Sequence, residues 1–427
     1  ILGWILNIEA LLMLLPVATA VFYREEEGIA YALVVAVCAA VGALLTYKKP
    51  KNPGFYAKEG FVCTALGWIL MSVFGCLPFM LTGEIPSFVD ALFEMVSGFT
   101  TTGASVVANV EALSRCTNMW RCFSHWIGGM GILVFLLAVL PLVGGSNMQL
   151  MKAESPGPSV GKLVPKVRFT ARILYVLYVA LTLLQVLVML MGGMTLYEAL
   201  CTSFGTAGTG GFGIYGDSIA SFSPFLQWAV TVFMIAFGVN FNVYFLLYMR
   251  RPKDALHCEE MHWYLGIIAA AALLICANAY DVTLTLENNL RQSFFQVASI
   301  ITTTGFATTD FNLWPGFSRS ILVLLMFIGA CAGSTGGGLK VSRIVIGFKS
   351  VLTYLGAFLH PRAVRKVKFE DKDVDAETMH AICVYFIAAI GLFVISVLLV
   401  ALDGFDLVTT FSAVAATFNN IGPGLGA

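Results

Sequence analysis

The sequence predicts an all-α protein that crosses a membrane many times, with an N-terminal helix pair followed by four helix–pore-loop–helix repeats. Three observations favour this fold: the composition, a glycine-containing motif that occurs four times, and a one-sided distribution of positive charge. Hydrophobic residues make up 58% and charged residues 12% of the 427 residues. Because soluble domains contain about 25% charged residues, the composition indicates a polytopic membrane protein.

The composition also excludes several kinds of function. The formal net charge is zero, which argues against nucleic acid as a partner. The ten cysteines lie in apolar runs without the spacing of metal ligands, and we expect them to be small buried residues. The predicted spans contain no paired carboxylates, no His–Glu motif and no Ser–His–Asp candidate. We therefore predict that the chain is not an enzyme.

Apolar runs of about 20 residues, the length that a membrane-spanning helix needs, give the order of the predicted spans. They cover approximately residues 1–22, 28–47, 58–82, 122–145, 170–192, 224–249, 262–281, 318–355 with an interruption, and 378–402. Four shorter segments with polar ends are predicted to be re-entrant pore hairpins, at 88–104, 196–212, 290–306 and 407–423. The predicted division is a helix pair at 1–50, then repeats at 51–150, 151–255, 256–360 and 361–427.

Each pore hairpin contains an uncharged stretch that we call a glycine segment. Glycine segments 1 to 4 are Ser97–Ala104, Phe204–Phe212, Ile301–Phe306 and Phe418–Pro423. Glycine tolerates positive φ, and rings of backbone carbonyls can replace the water around a cation. A single Thr-Thr-Gly is more often a helix C-cap, but four equivalent segments predict a selectivity filter around a central pore. The predicted cation ligands are Thr101, Thr102, Gly103, Thr209, Gly210, Gly211, Thr303, Thr304, Gly305, Asn420, Ile421 and Gly422.

Positive charge predicts the orientation. Of the 25 lysines and arginines, 20 lie in the segments 48–58, 152–172, 250–253 and 340–372. The other five lie in segments predicted on the opposite side of the membrane: Arg24, Arg115, Arg121, Arg291 and Arg319. By the positive-inside rule the 20 are cytoplasmic, so every pore hairpin enters from the outside. The basic clusters could serve topology alone or could dock a partner.

A glycine-rich stretch interrupts the predicted span 318–355. It is not a Walker loop, because Leu339 separates Gly338 from Lys340. It could be a packing kink between helices or a movable gate beneath the filter. Lys340 could repel cations in a closed state or simply extend to the membrane surface. The predicted gating residues are Gly333, Ser334, Thr335, Gly336, Gly337, Gly338 and Lys340.

The glycine segments resemble the filters of the Trk/Ktr/HKT potassium transporter superfamily. They read Thr-Thr-Thr-Gly-Ala, Gly-Thr-Gly-Gly-Phe, Thr-Thr-Thr-Gly-Phe and Asn-Asn-Ile-Gly-Pro-Gly, and Cys331–Lys340 is similar to the intramembrane loop of that superfamily. The stretches Trp126–Ile132 and Met148–Pro158, with the N-terminal helix pair, resemble the bacterial Trk-type membrane subunit.

This resemblance implies potassium uptake through the pore, with K+ as the transported ion and no organic cofactor. Glycine at the first filter position, Gly103, implies a preference for potassium over sodium; a sodium- or ammonium-permeable transporter on the same scaffold is the alternative. The resemblance also implies a homodimer in the lipid of the bacterial cytoplasmic (inner) membrane, associated with a ring of nucleotide-binding regulatory subunits of the TrkA type. The fourth repeat lacks an outgoing helix, and we expect one beyond Ala427.

The charge distribution predicts that single cysteines introduced at Ser159 and Ala363, in a variant without the ten native cysteines, are cytoplasmic. An impermeant thiol reagent should therefore label neither residue in intact cells and both after permeabilisation. Labelling of either cysteine from outside would reverse the predicted orientation of all four hairpins.

Overall fold

The computed structural model describes residues 1–47, 57–129, 131, 167–360 and 366–425. The described residues form two compact units, one up to residue 229 and the other from residue 230 onward. Helices dominate both units, which confirms the predicted all-α membrane fold. In the described part of the chain the one sheet is the two-stranded hairpin of β1 (Lys368–Phe369) and β2 (Lys372–Asp373).

The first unit contains the N-terminal helices and the first two pore helices. Its helices are α1 (Leu2–Leu12), α2 (Leu14–Tyr23), α3 (Gly28–Tyr47), α4 (Ala57–Gly75), α5 (Leu77–Leu81), α6 (Phe88–Phe99), α7 (Arg115–Gly129), α8 (Val167–Met191) and α9 (Leu196–Ala207), and α10 (Pro224–Gly238) begins there. Pore helix α6 packs between α4 and α7, and pore helix α9 packs against α7 and α8.

The second unit contains the other two pore helices, α14 and α18. After the end of α10 its helices are α11 (Phe241–Tyr248), α12 (Pro252–Leu256), α13 (Glu259–Asn278), α14 (Leu286–Ile301), α15 (Gly316–Ile328), α16 (Val341–Leu359), α17 (Ala376–Val400) and α18 (Leu407–Phe418). Helix α13 packs against α14, α15 and α16, and α18 packs against α15 and α17. Each pore helix thus packs against at least one longer helix.

In the described ranges, seven helical stretches are long and apolar enough to cross a membrane, or eight if a sharply bent pair is one span. They include the predicted spans near both ends of the chain. The predicted span 122–145 begins earlier, at Arg115, and its part beyond 131 lies outside the described residues. The basic stretches at 48–56, 132–166 and 361–365 also lie outside them. The division into five sequence segments stays a prediction.

One predicted span is wrong in form. Residues 224–249 are not a continuous helix, because α10 and α11 meet at an angle of 87°. Asn240 lies at the break and its side-chain oxygen accepts a hydrogen bond from the Asn242 amide at 2.9 Å. The Phe241 amide bonds the Gly333 carbonyl at 3.0 Å, outside any helix. The break therefore places Phe241 in contact with the glycine-rich stretch. That stretch interrupts the span 318–355 as predicted, between Ile328 and Val341.

The pore helices begin at side-chain caps. Ser87, Thr195, Thr285 and Asp406 each accept a hydrogen bond from an amide in the first turn of the following helix. Glu198 completes a capping box with Thr195, which satisfies otherwise unpaired amides at the helix start. Glu198 and Asp406 thus have a structural role at the starts of their helices.

Candidate functional site

All four pore helices end in the same turn. The amide of one residue donates to the carbonyl five residues earlier, at 2.7–3.0 Å, in the pairs Thr102–Ser97, Gly210–Gly205, Thr304–Ser299 and Ile421–Ala416. This is the bond of a Schellman motif, which ends a helix by reversing the handedness of one residue. The four glycine segments are therefore structural repeats.

Each glycine segment contains two left-handed residues separated by one residue. The first positions have φ between 53° and 60°, at Thr101, Thr209, Thr303 and Asn420. The second positions have φ between 76° and 96°, at Gly103, Gly211, Gly305 and Gly422. The glycines that the sequence aligned as equivalent thus share one backbone conformation.

Threonine at the first position is unusual. A β-branched residue at positive φ is a conformational outlier, and such strain is of order 1–3 kcal/mol per residue and concentrates at functional sites. Three of the four repeats carry it, at Thr101, Thr209 and Thr303. A Schellman turn alone would favour glycine at this position, so the threonine side chain is retained for another reason.

The glycine segments present oxygen atoms and hide their amide donors. The amides of Thr101 and Thr102 bond carbonyls of the preceding helix, as do those of Thr303 and Thr304. No charged side chain occurs within the four segments. The C-terminal end of a helix also carries a partial negative charge. Each pore helix thus ends in a neutral, oxygen-rich surface suited to a cation that has lost part of its water.

Within each unit, two glycine segments touch in an equivalent way. A Cβ added at Gly103 would overlap the carbonyl oxygen of Gly210, in the first unit. A Cβ added at Gly305 would overlap the carbonyl oxygen of Ile421, in the second unit. Glycine is thus required at both positions by the close approach of a neighbouring carbonyl as well as by φ.

His125 braces the two segments of the first unit. Its side chain is fully buried, and Nδ1 lies 2.8 Å from the Gly98 carbonyl oxygen at the end of α6. A Cβ at Gly210 would overlap the imidazole ring. The imidazole ring therefore fills the space between the end of α6 and segment 2.

The stretch 329–340, which we call the glycine-rich loop, lies directly against segments 3 and 4. The Gly337 amide donates to Oγ1 of Thr303 at 2.6 Å. A Cβ at Gly336 would lie 2.8 Å from the Thr302 carbonyl oxygen, and one at Gly337 would lie 2.6 Å from that of Asn419. Glycine lets this loop approach the carbonyls of both segments more closely than a side chain would allow.

Glu260, at the start of α13, holds the loop at both ends. Its Oε1 accepts the amide of Ala332 at 2.7 Å and that of Ser342 at 3.1 Å, and Oε2 accepts Nδ2 of Asn240 at 3.3 Å. The residue is 2% exposed. Sequence reasoning missed Glu260, because it precedes the predicted span 262–281 and its partners Ala332 and Ser342 lie 72 and 82 residues later in the chain.

Lys340 does not extend to the membrane surface. It is buried at 2% exposure, has φ 77°, and its ammonium group donates to the Gly336 carbonyl within the loop. Of the two alternatives for this residue, the one in which it extends to the membrane surface is thus wrong, because a buried ammonium must bond to protein oxygens. The lysine fixes the loop in its present fold.

A second buried carboxylate lies behind segment 1. Glu94 of α6 forms an ion pair with Arg121 of α7, with 2.6 Å between Oε1 and Nη2. The charge distribution placed Arg121 among the arginines outside the cytoplasm, and no sequence pattern indicated a role for Glu94. An acid in the middle of an apolar pore helix was the available signal, since an ionisable residue inside a membrane calls for a partner.

The chain is similar to known transport proteins along its whole length. Residues 28–280 and 278–427 match the family described as TrkH, cation transport protein. The Trk system potassium uptake protein TrkH of Salmonella typhimurium is 36% identical over 426 residues, covering 97% of this chain and 87% of that protein. TrkG of Escherichia coli is 33% identical over 432 residues, covering 100% and 89%.

A solved structure agrees with the fold. The crystal structure of the potassium transporter TrkH from Vibrio parahaemolyticus superposes with a TM-score of 0.88 at 32% sequence identity, covering 99% of this chain and 89% of that one. The fold is therefore that of a known kind of membrane protein. The chain belongs to the TrkH family of cation transport proteins.

Proposed function

We propose that this chain is the membrane subunit of a potassium-uptake system in a bacterial cytoplasmic membrane. The curated relatives reported above are potassium uptake proteins by name. The four glycine segments supply the selectivity filter, K+ is the transported ion, and the chain is a transporter rather than an enzyme.

The single observation that carries the proposal is the fourfold pair of left-handed residues at the ends of the pore helices. Neutral carbonyl and hydroxyl oxygens bind a cation strongly enough to replace water and weakly enough to release it. Carboxylates in the same positions would hold the cation too tightly. The predicted ligands meet this requirement in all four segments.

In this proposal the glycine-rich loop is the gate. It contacts segments 3 and 4 through Gly336 and Gly337, and it is tied to Thr303 by one hydrogen bond. A net contribution of about 0.5–1.5 kcal/mol for that bond is small enough for a regulatory signal to overcome. Glu260 holds the two ends of the loop while its centre moves, and this movement requires the Lys340 ammonium to release the Gly336 carbonyl.

The proposed partners are a second copy of the chain, the membrane lipid and a cytosolic ring of nucleotide-binding regulatory subunits. The name "Trk system" of the relatives supports a multi-component assembly. Positively charged cytoplasmic segments would face the ring, and the nucleotide would bind to the ring.

Flux measurements test the proposal directly. Proteoliposomes that contain the purified full-length protein should accumulate radioactive rubidium when a negative internal potential is imposed, and excess potassium should compete. Competition by sodium or ammonium at equal concentration should be weak. Uptake that sodium or ammonium supports as well as potassium does would contradict potassium selectivity.

Gly103→Ser tests the filter assignment. The serine Cβ would overlap the Gly210 carbonyl oxygen, so segments 1 and 2 must separate and the ligand ring is distorted. We expect the potassium-to-sodium flux ratio to fall by about tenfold or more, which requires only ~1.4 kcal/mol.

The matched control for this variant is Gly83→Ser. Gly83 has φ 77° but no atom near an added Cβ, so the serine brings the same backbone strain without the clash. Gly83→Ser should keep the wild-type flux ratio. Equal ratios in the two variants and the wild type would refute the assignment of Gly103 to the filter.

Thr303→Val tests the gate. Valine removes the acceptor of the Gly337 amide, so the loop should leave the filter more often and uptake without regulatory subunits should rise by up to roughly tenfold. Thr101→Val is the control, because Thr101 occupies the equivalent position and its hydroxyl bonds the Thr100 carbonyl instead. Equal changes in the two variants would show that the loop contact does not restrain flux.

A further inference from the structure

We propose that the buried Glu94–Arg121 pair positions the ends of glycine segments 1 and 2 and thereby sets ion selectivity. This inference rests on the proposed function. It assigns a selectivity role to two side chains that stand behind the filter and do not touch the transported ion. Both are almost fully buried, at 0% exposure for the Glu94 side chain and 1% for that of Arg121.

The pair ties the end of segment 1 to its own pore helix. Glu94 accepts hydrogen bonds from the Ser105 hydroxyl at 2.9 and 3.1 Å and from the Val106 amide at 3.0 Å. Arg121 donates to Asn118 Oδ1 at 3.0 Å and to the Ser105 hydroxyl at 3.2 Å. Ser105 and Val106 follow Gly103 almost directly, so the charges fix the direction in which the chain leaves segment 1.

The same guanidinium reaches segment 2. Its Cζ lies 4.3 Å from the centre of the Phe212 ring, and Phe212 directly follows Gly211. Such a cation–π contact is worth more when it is shielded from water, and Phe212 is 3% exposed. One side chain thus contacts Ser105, just beyond segment 1, and Phe212, the last residue of segment 2, and the filter glycines of these two segments are packed against each other.

Stability alone does not explain the pair. Burying two charges carries a desolvation penalty, and well-packed apolar residues of similar volume are often equally or more stabilising. Repeat 3 of the same chain has uncharged residues at the two equivalent positions, and we call these the neutral version of the pair. Gln296 precedes Gly305 by the same distance as Glu94 precedes Gly103, and Leu322 occupies in α15 the place of Arg121 in α7.

The neutral version holds its segment more loosely. Gln296 donates one hydrogen bond, of 3.2 Å, to the Thr309 carbonyl, and Leu322 is an apolar residue buried at 0%. Hydrogen bonds to ionised groups are shorter and roughly twice as strong as neutral ones. The charged pair therefore holds the residues after Gly103 more firmly than Gln296 and Leu322 hold those after Gly305, and a firmly held segment resists contraction around the smaller sodium ion.

The double variant Glu94→Gln/Arg121→Leu tests this by giving repeat 1 the side chains of repeat 3. We expect rubidium uptake to persist while the potassium-to-sodium flux ratio falls by about tenfold. The control Glu287→Gln/Arg291→Leu removes another pore-helix ion pair, whose Arg291 Nη1 and Glu287 Oε2 lie 2.5 Å apart at the end of α14 farthest from segment 3. That control should keep the wild-type ratio.

Arg121→Lys separates positioning from simple charge balance and serves if the double variant does not fold. Lysine keeps the charge beside Glu94 but lacks the planar fork that bonds three partners and lies over Phe212. A selectivity that falls in Arg121→Lys supports positioning. A wild-type ratio in either variant would refute it, whereas absence of rubidium uptake in the wild-type protein would instead refute the proposed function.

Discussion

A backbone that leaves its helix at membrane depth must find hydrogen-bond partners within the protein, and the two candidate functional elements depend on this constraint. The glycine segments satisfy it by bonding their amides to carbonyls of the preceding pore helix. The glycine-rich loop satisfies it with external acceptors, which include the Glu260 carboxylate and the Thr303 hydroxyl. The difference is that the segments are held by their own helices, whereas the loop is held by its neighbours.

Under the proposed function, this difference supports a fixed role for the glycine segments and a movable role for the glycine-rich loop. A Schellman turn can open only if its helix end unwinds. The loop can leave its place by exchanging a few side-chain partners, which is the property expected of an element with two positions. In the same proposal the broken helix α10–α11 moves with the loop. The Phe241 amide bonds the loop at Gly333, and the Asn240 side chain bonds Glu260, which holds the ends of the loop.

The fold and the main site elements could be predicted from sequence because they depend on local patterns. Composition predicted the membrane class, and the repeated glycines predicted the second left-handed position of each segment, but not the first, where three of the four residues are threonines. The interruption near Gly333 was visible because glycine and serine are rare in a continuous apolar run. The structure agrees with each of these at residue level.

The break at Asn240 and the pairing of Glu94 with Arg121 could not be read in the same way. Asn240 lies in an apolar run that is long enough to be one continuous span. The contact that accompanies the break, between the Phe241 amide and the Gly333 carbonyl, joins residues about 90 positions apart in the chain. Arg121 fits the pattern of an outer positive charge, and only packing shows that its guanidinium is buried. Long-range partners of polar side chains are the information that periodicity and composition lack.

The strained threonines have a consequence for the evolution and engineering of the protein. Glycine at Thr101, Thr209 or Thr303 would relieve the left-handed strain and raise the stability of the helix end, at the expense of a hydroxyl and of backbone stiffness. A selection for heat tolerance alone would therefore favour glycine at these three positions, while the proposed filter role would select against it. Thermostable variants of this chain should accordingly be sought in the outer helices, far from the four glycine segments.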